Sequence, residues 1–388
     1  MKILYISNSR IPTVKAYGHQ IMKMCQVFAA QKVAVELVCP TRKNPQFKSM
    51  DPFEYYHIKK IFKIKKILSY DPHWMMKLPQ GTYIKFQLAF FTVSLFIYLL
   101  FKKNKAEYIF YTRDEYLLPV LHLFSKRVVW EGHSLPRRKK YYAKYFKKCH
   151  RIAVLTQELK KMLIKLGVSQ DKILVSPDAV ELEIFAISES RQDARQKLKL
   201  PKNKIILGYT GSFKTKNMDK GIQDILNSIV ILKEKNIDIL FVAVGGSQAD
   251  IDFYLSMAKD LKVQDRALFL DKVDQSALAL YGQAFDILLM PFPYTKHYAY
   301  FMSPLKMFEY MAAKRPIIAT HLPSIKEVLN QENSIFVKPD NPQDLAQGII
   351  TLIYNPNLAC QLAKQAFIDV KQYTWQKRAE RIIGFLIF

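Results

Sequence analysis

The chain has 388 residues, half of them hydrophobic and 24% charged, which excludes wholesale disorder and leaves room for two or three domains. Its 59 Lys and Arg against 33 Asp and Glu give a formal net charge of +26, a surplus that calls for an anionic partner or surface: nucleic acid, anionic lipid or a phosphorylated substrate. Cys25, Cys39, Cys149 and Cys360 form no C-x-x-C pair, which excludes a disulfide scaffold or a cysteine zinc cluster and fits a reducing compartment.

The chain opens on the short apolar run Ile3-Leu4-Tyr5-Ile6 and turns polar at Ser7. That run is too short for a signal-peptide core, so a cytoplasmic location is expected. A strand over residues 2–7 leads through a loop with Pro12 and Gly18 to a helix over 19–30 and a second strand over 33–39. Residues 86–101 carry no charge and are bounded by Lys85 and Lys102. A span needs about 20 residues, so a buried or half-buried helix is expected, with an interfacial helix or a span as the alternatives. Further strands are expected over 108–111, 127–131 and 151–155, with helical patterns between them. Residues 186–204, polar and charged around Ser188-Glu189-Ser190, read as a linker.

Beyond it the alternation restarts, with strands over 205–209, 239–244, 267–270, 287–291 and 316–319. Helices are expected between them, over 221–235, 251–262, 275–284 and 304–313. Repeated strand–helix–strand units imply parallel sheets with crossover helices. The expected architecture is α/β: two Rossmann-like parallel-sheet domains, one over residues 1–187 and one over 188–371. A C-terminal helix over about 372–388 is expected to pack back on the first domain.

The richest segment for chemistry is Ser303-Pro304-Leu305-Lys306, followed by Glu309. Ser303 is a good N-cap and Pro304 suits the first helical turn, so the helix should start with unsatisfied N–H groups and a positive dipole end. Such an end binds phosphate, and Lys306 adds a full charge. Glu309, six residues from the cap, could accept from a sugar's hydroxyls. An ordinary capped helix with solvated Lys and Glu would have the same local pattern. A second segment, Thr210-Gly211-Ser212 followed by Asp219-Lys220-Gly221, closes a strand and opens a helix at the same carboxyl edge of the sheet, where ligands bind in open parallel sheets. Two lysine-bearing helix starts in one domain make a diphosphate cradle.

With Val242-Ala243-Val244-Gly245-Gly246, Ala284-Phe285-Asp286, Pro316-Ile317-Ile318-Ala319-Thr320 and Glu327, these segments follow one another in an order that resembles the GT-B glycosyltransferases, particularly the retaining family 4 enzymes of glycosyltransferases group 1. The resemblance runs over essentially the whole chain and implies two domains facing each other across a cleft. It implies that Lys220 neutralises the donor's diphosphate beside Gly211 and Ser212. Backbone N–H groups of Met302, Ser303 and Leu305, with Lys306, would cradle phosphate oxygens. Glu309 would hold the donor's ribose, and the loop at Lys272 and Val273 would hold the base. Three positions depart from the family pattern. The first glutamate of its E-x7-E motif is replaced by Phe301, the usual arginine after the loop glycine is Ser212, and the glycine expected after Ala313 is Lys314. Lys214 or Lys216 could stand in for the arginine.

In the first half the resemblance implies that Gly18 faces the cleft from the loop after the first strand. It places His133, in Trp130-Glu131-Gly132-His133, by the reacting sugar, with Arg113 and Asp114 near the acceptor. A structural histidine, a loop glycine and a strand-end ion pair are the plainer readings. The implied activity is transfer of a hexosyl or related group, with retention, from a UDP- or GDP-linked sugar to a lipid-linked or saccharide acceptor. His133, Lys220 and Glu309 would act at the reacting centre, with no cofactor and no metal. Asp250-Ile251-Asp252, the one D-x-D, reads better as a helix cap than as a metal site. The alternatives are a GT-B sugar-nucleotide epimerase and a catalytically idle nucleotide-binding partner of a membrane assembly. Residues 57–68 and 137–148 interleave lysines and arginines with apolar and aromatic residues. A solvated basic face is one reading. A surface that attaches peripherally to the cytoplasmic, anionic face of the cell membrane is the other. No nucleic-acid-binding module is recognisable.

Overall fold

The computed structural model describes residues 1–42, 44, 47, 50–71, 79–215 and 218–387. The alternation expected from the sequence is present, in two compact units. The first unit consists of residues 1–176 and 375–388. It runs β1 (Lys2–Ile6), α1 (Ala16–Ala30), β2 (Ala34–Pro40), α2 (Pro52–Tyr55), β3 (Lys63–Ile67) and α3 (Gln80–Phe101). Then come β4 (Tyr108–Thr112), α4 (Leu118–Phe124), β5 (Val128–Gly132), α5 (Lys139–Lys148), β6 (Arg151–Val154), α6 (Gln157–Lys165) and β7 (Ile173–Val175). The strands form one parallel sheet in the order β3-β2-β1-β4-β5-β6-β7. Its direction of growth reverses between β1 and β4, which opens a crevice beyond their carboxyl ends.

The second unit, residues 177–374, begins with α7 (Leu182–Phe185), α8 (Arg191–Lys197) and β8 (Ile205–Thr210). A short antiparallel ribbon of β9 (Lys214–Thr215) and β10 (Met218–Asp219) leads to α9 (Ile222–Glu234), β11 (Ile239–Gly246), α10 (Gln248–Asp260) and β12 (Ala267–Asp271). It continues through α11 (Gln275–Ala284), β13 (Ile287–Met290), α12 (Lys296–Tyr300), α13 (Leu305–Ala312), β14 (Ile317–Thr320) and β15 (Ile335–Val337). It closes with α14 (Pro342–Tyr354) and α15 (Pro356–Val370). The six main strands pair in parallel in the order β12-β11-β8-β13-β14-β15, reversing between β8 and β13. The near-continuous apolar runs of β8, β11 and β13 are buried on both faces, as a doubly covered parallel sheet demands. α16 (Trp375–Ile387) belongs to the first unit, where it packs on α1 and β6.

Three expectations need correction. The division falls after Ser176 rather than after Ile187, because Val180 and Phe185 are buried in the second unit's core and Val180 N–H donates to the Tyr373 carbonyl (3.0 Å). The supposed linker is partly helical. Ser190 caps α8 by accepting from Asp193 N–H (3.2 Å), and the nearly buried Arg195 pairs with Asp286 (2.5 Å). Residues 86–101 belong to a longer helix, α3 of 22 residues, which is long and apolar enough to cross a membrane. It is buried along one stripe only, at Phe91, Leu95 and Leu99.

Candidate functional site

In the second unit the chemistry gathers where β8, β13 and α13 meet. β8 ends at Thr210, and the chain turns through Gly211 at φ +95°, a left-handed conformation that favours glycine. A Cβ on Gly211 would lie 3.5 Å from Cε of Lys306, so this loop and the first turn of α13 are in contact. Gly245, at φ +118°, presses on the Gly211 carbonyl from β11 and leaves no room for a side chain (2.8 Å). The β9–β10 ribbon then brings the chain back. Lys220 Nζ donates to Ser212 Oγ (2.7 Å), and Gly221 (φ +95°) lies so close to the Pro291 carbonyl that a Cβ would sit 1.8 Å from it. Burial holds the Lys220 ammonium down to about 8, against the nearby Asp250 carboxylate, so it is only partly protonated in mildly alkaline solution.

Lys306 is the most unusual group. It is 7% exposed, and its Nζ lies 3.3 Å from the centroid of the Tyr209 ring and makes no hydrogen bond. Burial, with Lys220 nearby, holds its ammonium well below the ordinary lysine range. Thr210 Oγ1 and Thr320 Oγ1, at the carboxyl ends of β8 and β14, are also buried without partners. Tyr310 fixes the backbone between them: its hydroxyl accepts from Thr210 N–H (2.8 Å) and donates to the Leu289 carbonyl (3.4 Å). Glu309 is half-buried on the same turn, and burial raises its carboxyl to about 7 despite Lys306. A buried amine and two buried hydroxyls without partners are costly in a folded protein unless a ligand completes them.

The expected cap at the start of α13 is not the one present. Pro304 occupies the N-cap, and no side chain caps the helix. Ser303 Oγ instead accepts from Asp178 N–H (2.9 Å), from a segment far away in sequence. The first-turn amides of Leu305 and Lys306 therefore have no side-chain acceptor, which leaves the positive end of the helix more available than a serine cap would. Met302 is buried beside them, and Phe301 is half-buried at the end of α12. Lys272 and Val273 are exposed just past β12, on the same edge of the sheet but two strands from β8. Lys214 does not stand in for an arginine: its Nζ lies 3.9 Å above the Phe253 ring and 3.7 Å from Asp250. Lys216 lies outside the described residues. Asp250 completes a capping box with Ser247 at the start of α10.

In the first unit His133, just past β5, is part of a buried charge network. Its Nε2 lies 2.8 Å from Glu131 Oε1, which also accepts from Arg378 of α16 (2.9 Å) and Gln20 of α1 (3.3 Å). Tyr111 donates to the other Glu131 oxygen, and Arg113 donates to Gln20 Oε1. Glu131 and Arg378 have no exposed surface. Burial alone would raise the Glu131 carboxyl, but Arg378 and His133 hold it well below the usual carboxylate range. Burial and then Arg113 push His133 down to about 4, so it is neutral near pH 7. With Nε2–H given to Glu131, Nδ1 is left as an acceptor.

Two of the plainer acceptor-side readings change here. Arg113 and Asp114 bond apart, Arg113 to Gln20 and Asp114 to Asn8 N–H (2.7 Å). Gly18 lies inside α1 rather than in the loop before it, and a Cβ there would meet Tyr56 Oη at 2.3 Å and Thr13 Cγ2 at 2.4 Å. It is a packing glycine. Sequence reasoning missed Gln20 and Arg378. The signal for a network was Glu131, a carboxylate inside the apolar run Val128-Val129-Trp130, which requires buried partners.

Comparison with known proteins adds the decisive observation. The sequence model described as Glycosyl transferases group 1 matches residues 204–355, which hold Gly211, Lys220, Lys306 and Glu309. Over these residues the chain is similar to the group 1 glycosyl transferases. It is 25% identical over 180 residues to a putative teichuronic acid biosynthesis glycosyltransferase of Bacillus subtilis, an alignment over 46% of this chain and 42% of that one. It is 22% identical over 240 residues to the D-inositol 3-phosphate glycosyltransferase of Corynebacterium glutamicum, over 60% and 55% of the two chains. The chain thus spans about half the length of the curated relatives it matches. Its fold is GT-B. Sucrose-phosphate synthase from Thermosynechococcus elongatus superposes with a TM-score of 0.77 at 18% identity, covering 99% of this chain and 97% of the other. HepE of Anabaena, solved with UDP-glucose, gives 0.68 at 17% identity over 100% and 99%.

Proposed function

We propose that this protein is a retaining glycosyltransferase that moves a hexosyl or related group from a UDP- or GDP-linked sugar to a lipid-linked or saccharide acceptor. It needs no metal and works as a peripheral protein on the cytoplasmic face of the membrane. The observation that carries the donor half is the buried, unpartnered Lys306 Nζ, set against Gly211 and close enough to Lys220 for the two to repel. A diphosphate offers the anionic oxygens that this pair lacks, and the uncapped start of α13 adds N–H donors. Glu309 accepts from ribose hydroxyls, and the loop at Lys272 and Val273 holds the base through its backbone. Neighbours in fold have been solved with UDP and with UDP-glucose, in line with such a donor.

As the bond from the anomeric carbon to the diphosphate breaks, its electron pair goes to the phosphate oxygen and positive charge builds on the sugar. Lys220, Lys306 and the helix end stabilise the departing anion. Neutral His133, its ring fixed by Glu131, presents Nδ1 as an acceptor for a substrate hydroxyl. The exposed lysines of β3 and α5 supply the attraction to an anionic surface.

The test is incubation with a panel of UDP- and GDP-sugars, with and without a chelator. Release of nucleoside diphosphate that survives chelation, with the sugar appearing on an acceptor in its original anomeric configuration, supports the reading. Conversion of the sugar nucleotide itself would make the protein an epimerase. Binding without turnover would make it an idle nucleotide-binding partner, a reading that Phe301, at the place of the first family glutamate, favours.

A further inference from the structure

α3 is held to its unit at both ends and along one stripe. Near its start, Tyr83 donates to Asp71 (2.8 Å), as does Gln87 (2.9 Å), and Arg10 pairs with the same carboxylate (2.6 Å). Near its end, Tyr98 and Lys102 both reach Glu36 (2.8 Å each), and Lys105 Nζ donates to the Leu99 carbonyl (3.1 Å). Between these clamps Phe91, Leu95 and Leu99, at i, i+4 and i+8, are fully buried. The opposite face is apolar as well. Phe86, Val93, Ile97 and Leu100 recur at helical spacing with exposures of 42–59%, and Phe101 is 77% exposed. No charged residue interrupts residues 86–101. Beside the helix, Phe96 stacks edge-on to Phe124 of α4, whose neighbour Leu123 is 70% exposed.

A face of this size on a protein surface marks an interaction site. Charge decides the occupant. β3, in contact with α3 at the edge of the sheet, exposes Lys63, Lys65 and Lys66, and the uncharged stretch of the helix is flanked by exposed Lys85 and Lys103. A second copy would bring two such rims together, each on a chain of +26. An anionic bilayer meets both features at once, phosphates against the lysines and acyl chains against the apolar face. The clamps and the buried stripe keep α3 on its domain, although at 22 residues and about 33 Å it would be long enough to span the hydrocarbon.

We propose that the outer face of α3, formed by Phe86, Val93, Ile97, Leu100 and Phe101, is the membrane-docking element of this protein, seated in the headgroup–acyl boundary with the helix lying in the plane of an anionic bilayer. The proposal deepens the peripheral-membrane part of the reading above and does not depend on the transfer reaction.

The test is flotation of the 388-residue chain with phosphatidylglycerol and with phosphatidylcholine vesicles, at low and high salt, beside the double variant Val93→Glu/Ile97→Glu. Both positions are exposed, so the variant should fold, which circular dichroism checks. The wild type is expected to float with anionic vesicles, to retain part of its binding at high salt, and to be released by alkaline carbonate. The variant should bind at least about tenfold more weakly at both salt levels. Equal flotation of variant and wild type would overturn the proposal, as would carbonate resistance, the mark of a span. A wild-type dimer that the substitutions dissociate, with vesicle binding unchanged, would assign the face to a second copy instead. Nucleoside-diphosphate affinity, measured calorimetrically on both proteins, reports separately on the donor site and should not differ.

Discussion

The two polar centres of this molecule are built on opposite plans. Around Glu131 and His133 every charge has been given a partner from the chain itself: carboxylate, guanidinium, imidazole, phenol and amide are bonded to one another, with Glu131 and Arg378 wholly buried. Around Lys306 the amine and two threonine hydroxyls are buried with none. A closed network fixes geometry before any substrate arrives and is vulnerable to loss of a member. An open one costs folding free energy that a ligand can return. The contrast separates residues that matter for stability from those that matter for binding.

The largest expected effect breaks the closed centre. Arg378→Met leaves the Glu131 carboxylate buried without its cationic partner, and should cost about 3–5 kcal/mol in urea unfolding. A loss below about 1 kcal/mol would mean that Glu131 finds another partner or takes up a proton. The open centre should behave in the reverse way. Lys306→Met, similar in volume and free of the orphaned amine, should leave stability within about 1.5 kcal/mol of wild type. It should weaken nucleoside-diphosphate binding at least about tenfold, the removal of one charge-assisted contact. Equal stability losses at Arg378 and Lys306 would erase the distinction between the two centres.

Lys220→Ala should likewise weaken the same ligand about tenfold by calorimetry, and unchanged affinity would remove Lys220 from the site. The finest test uses pH. Lys220 loses its proton near 8 in the free protein, so affinity for a fully ionised diphosphate should fall as pH rises through about 8, with a slope approaching one proton. Glu309 acts in the opposite direction: it gains its charge as pH rises toward about 7, and hydroxyl donors on the ligand favour the charged form. Glu309→Gln should therefore flatten the rise in affinity below pH 7 and leave the alkaline fall intact. A profile that Glu309→Gln does not change would place the ribose elsewhere.

The alternation of apolar runs made both sheets legible, because a parallel strand buried on two faces has to be apolar throughout, as β8 and β13 are. The glycine and lysine positions of the open centre could also be read, since Gly211, Lys220 and Gly221 lie between one strand and the helix that follows it, and Lys306 lies in the first turn of a second helix. Contacts set by distant segments could not. Ser303 looks like an N-cap until Asp178, 125 residues away, takes its hydroxyl. Arg191 to Lys197 looks like linker until Arg195 finds Asp286 and the Ala284 carbonyl (2.8 Å). Gly18 looks like a loop glycine until Tyr56 is packed against it. The exposure of α3 was hidden for a different reason: composition gives a helix's apolarity but not which of its faces the fold leaves uncovered.

Arg378 has a consequence for biogenesis. The guanidinium that neutralises Glu131 is translated almost 250 residues after its partner, so during synthesis the amino-terminal sheet holds a carboxylate it cannot yet bury in paired form. The second unit, whose residues are contiguous, can finish folding while the first is still waiting for α16. For this chain the ribosome delivers the amino-terminal unit first and completes it last.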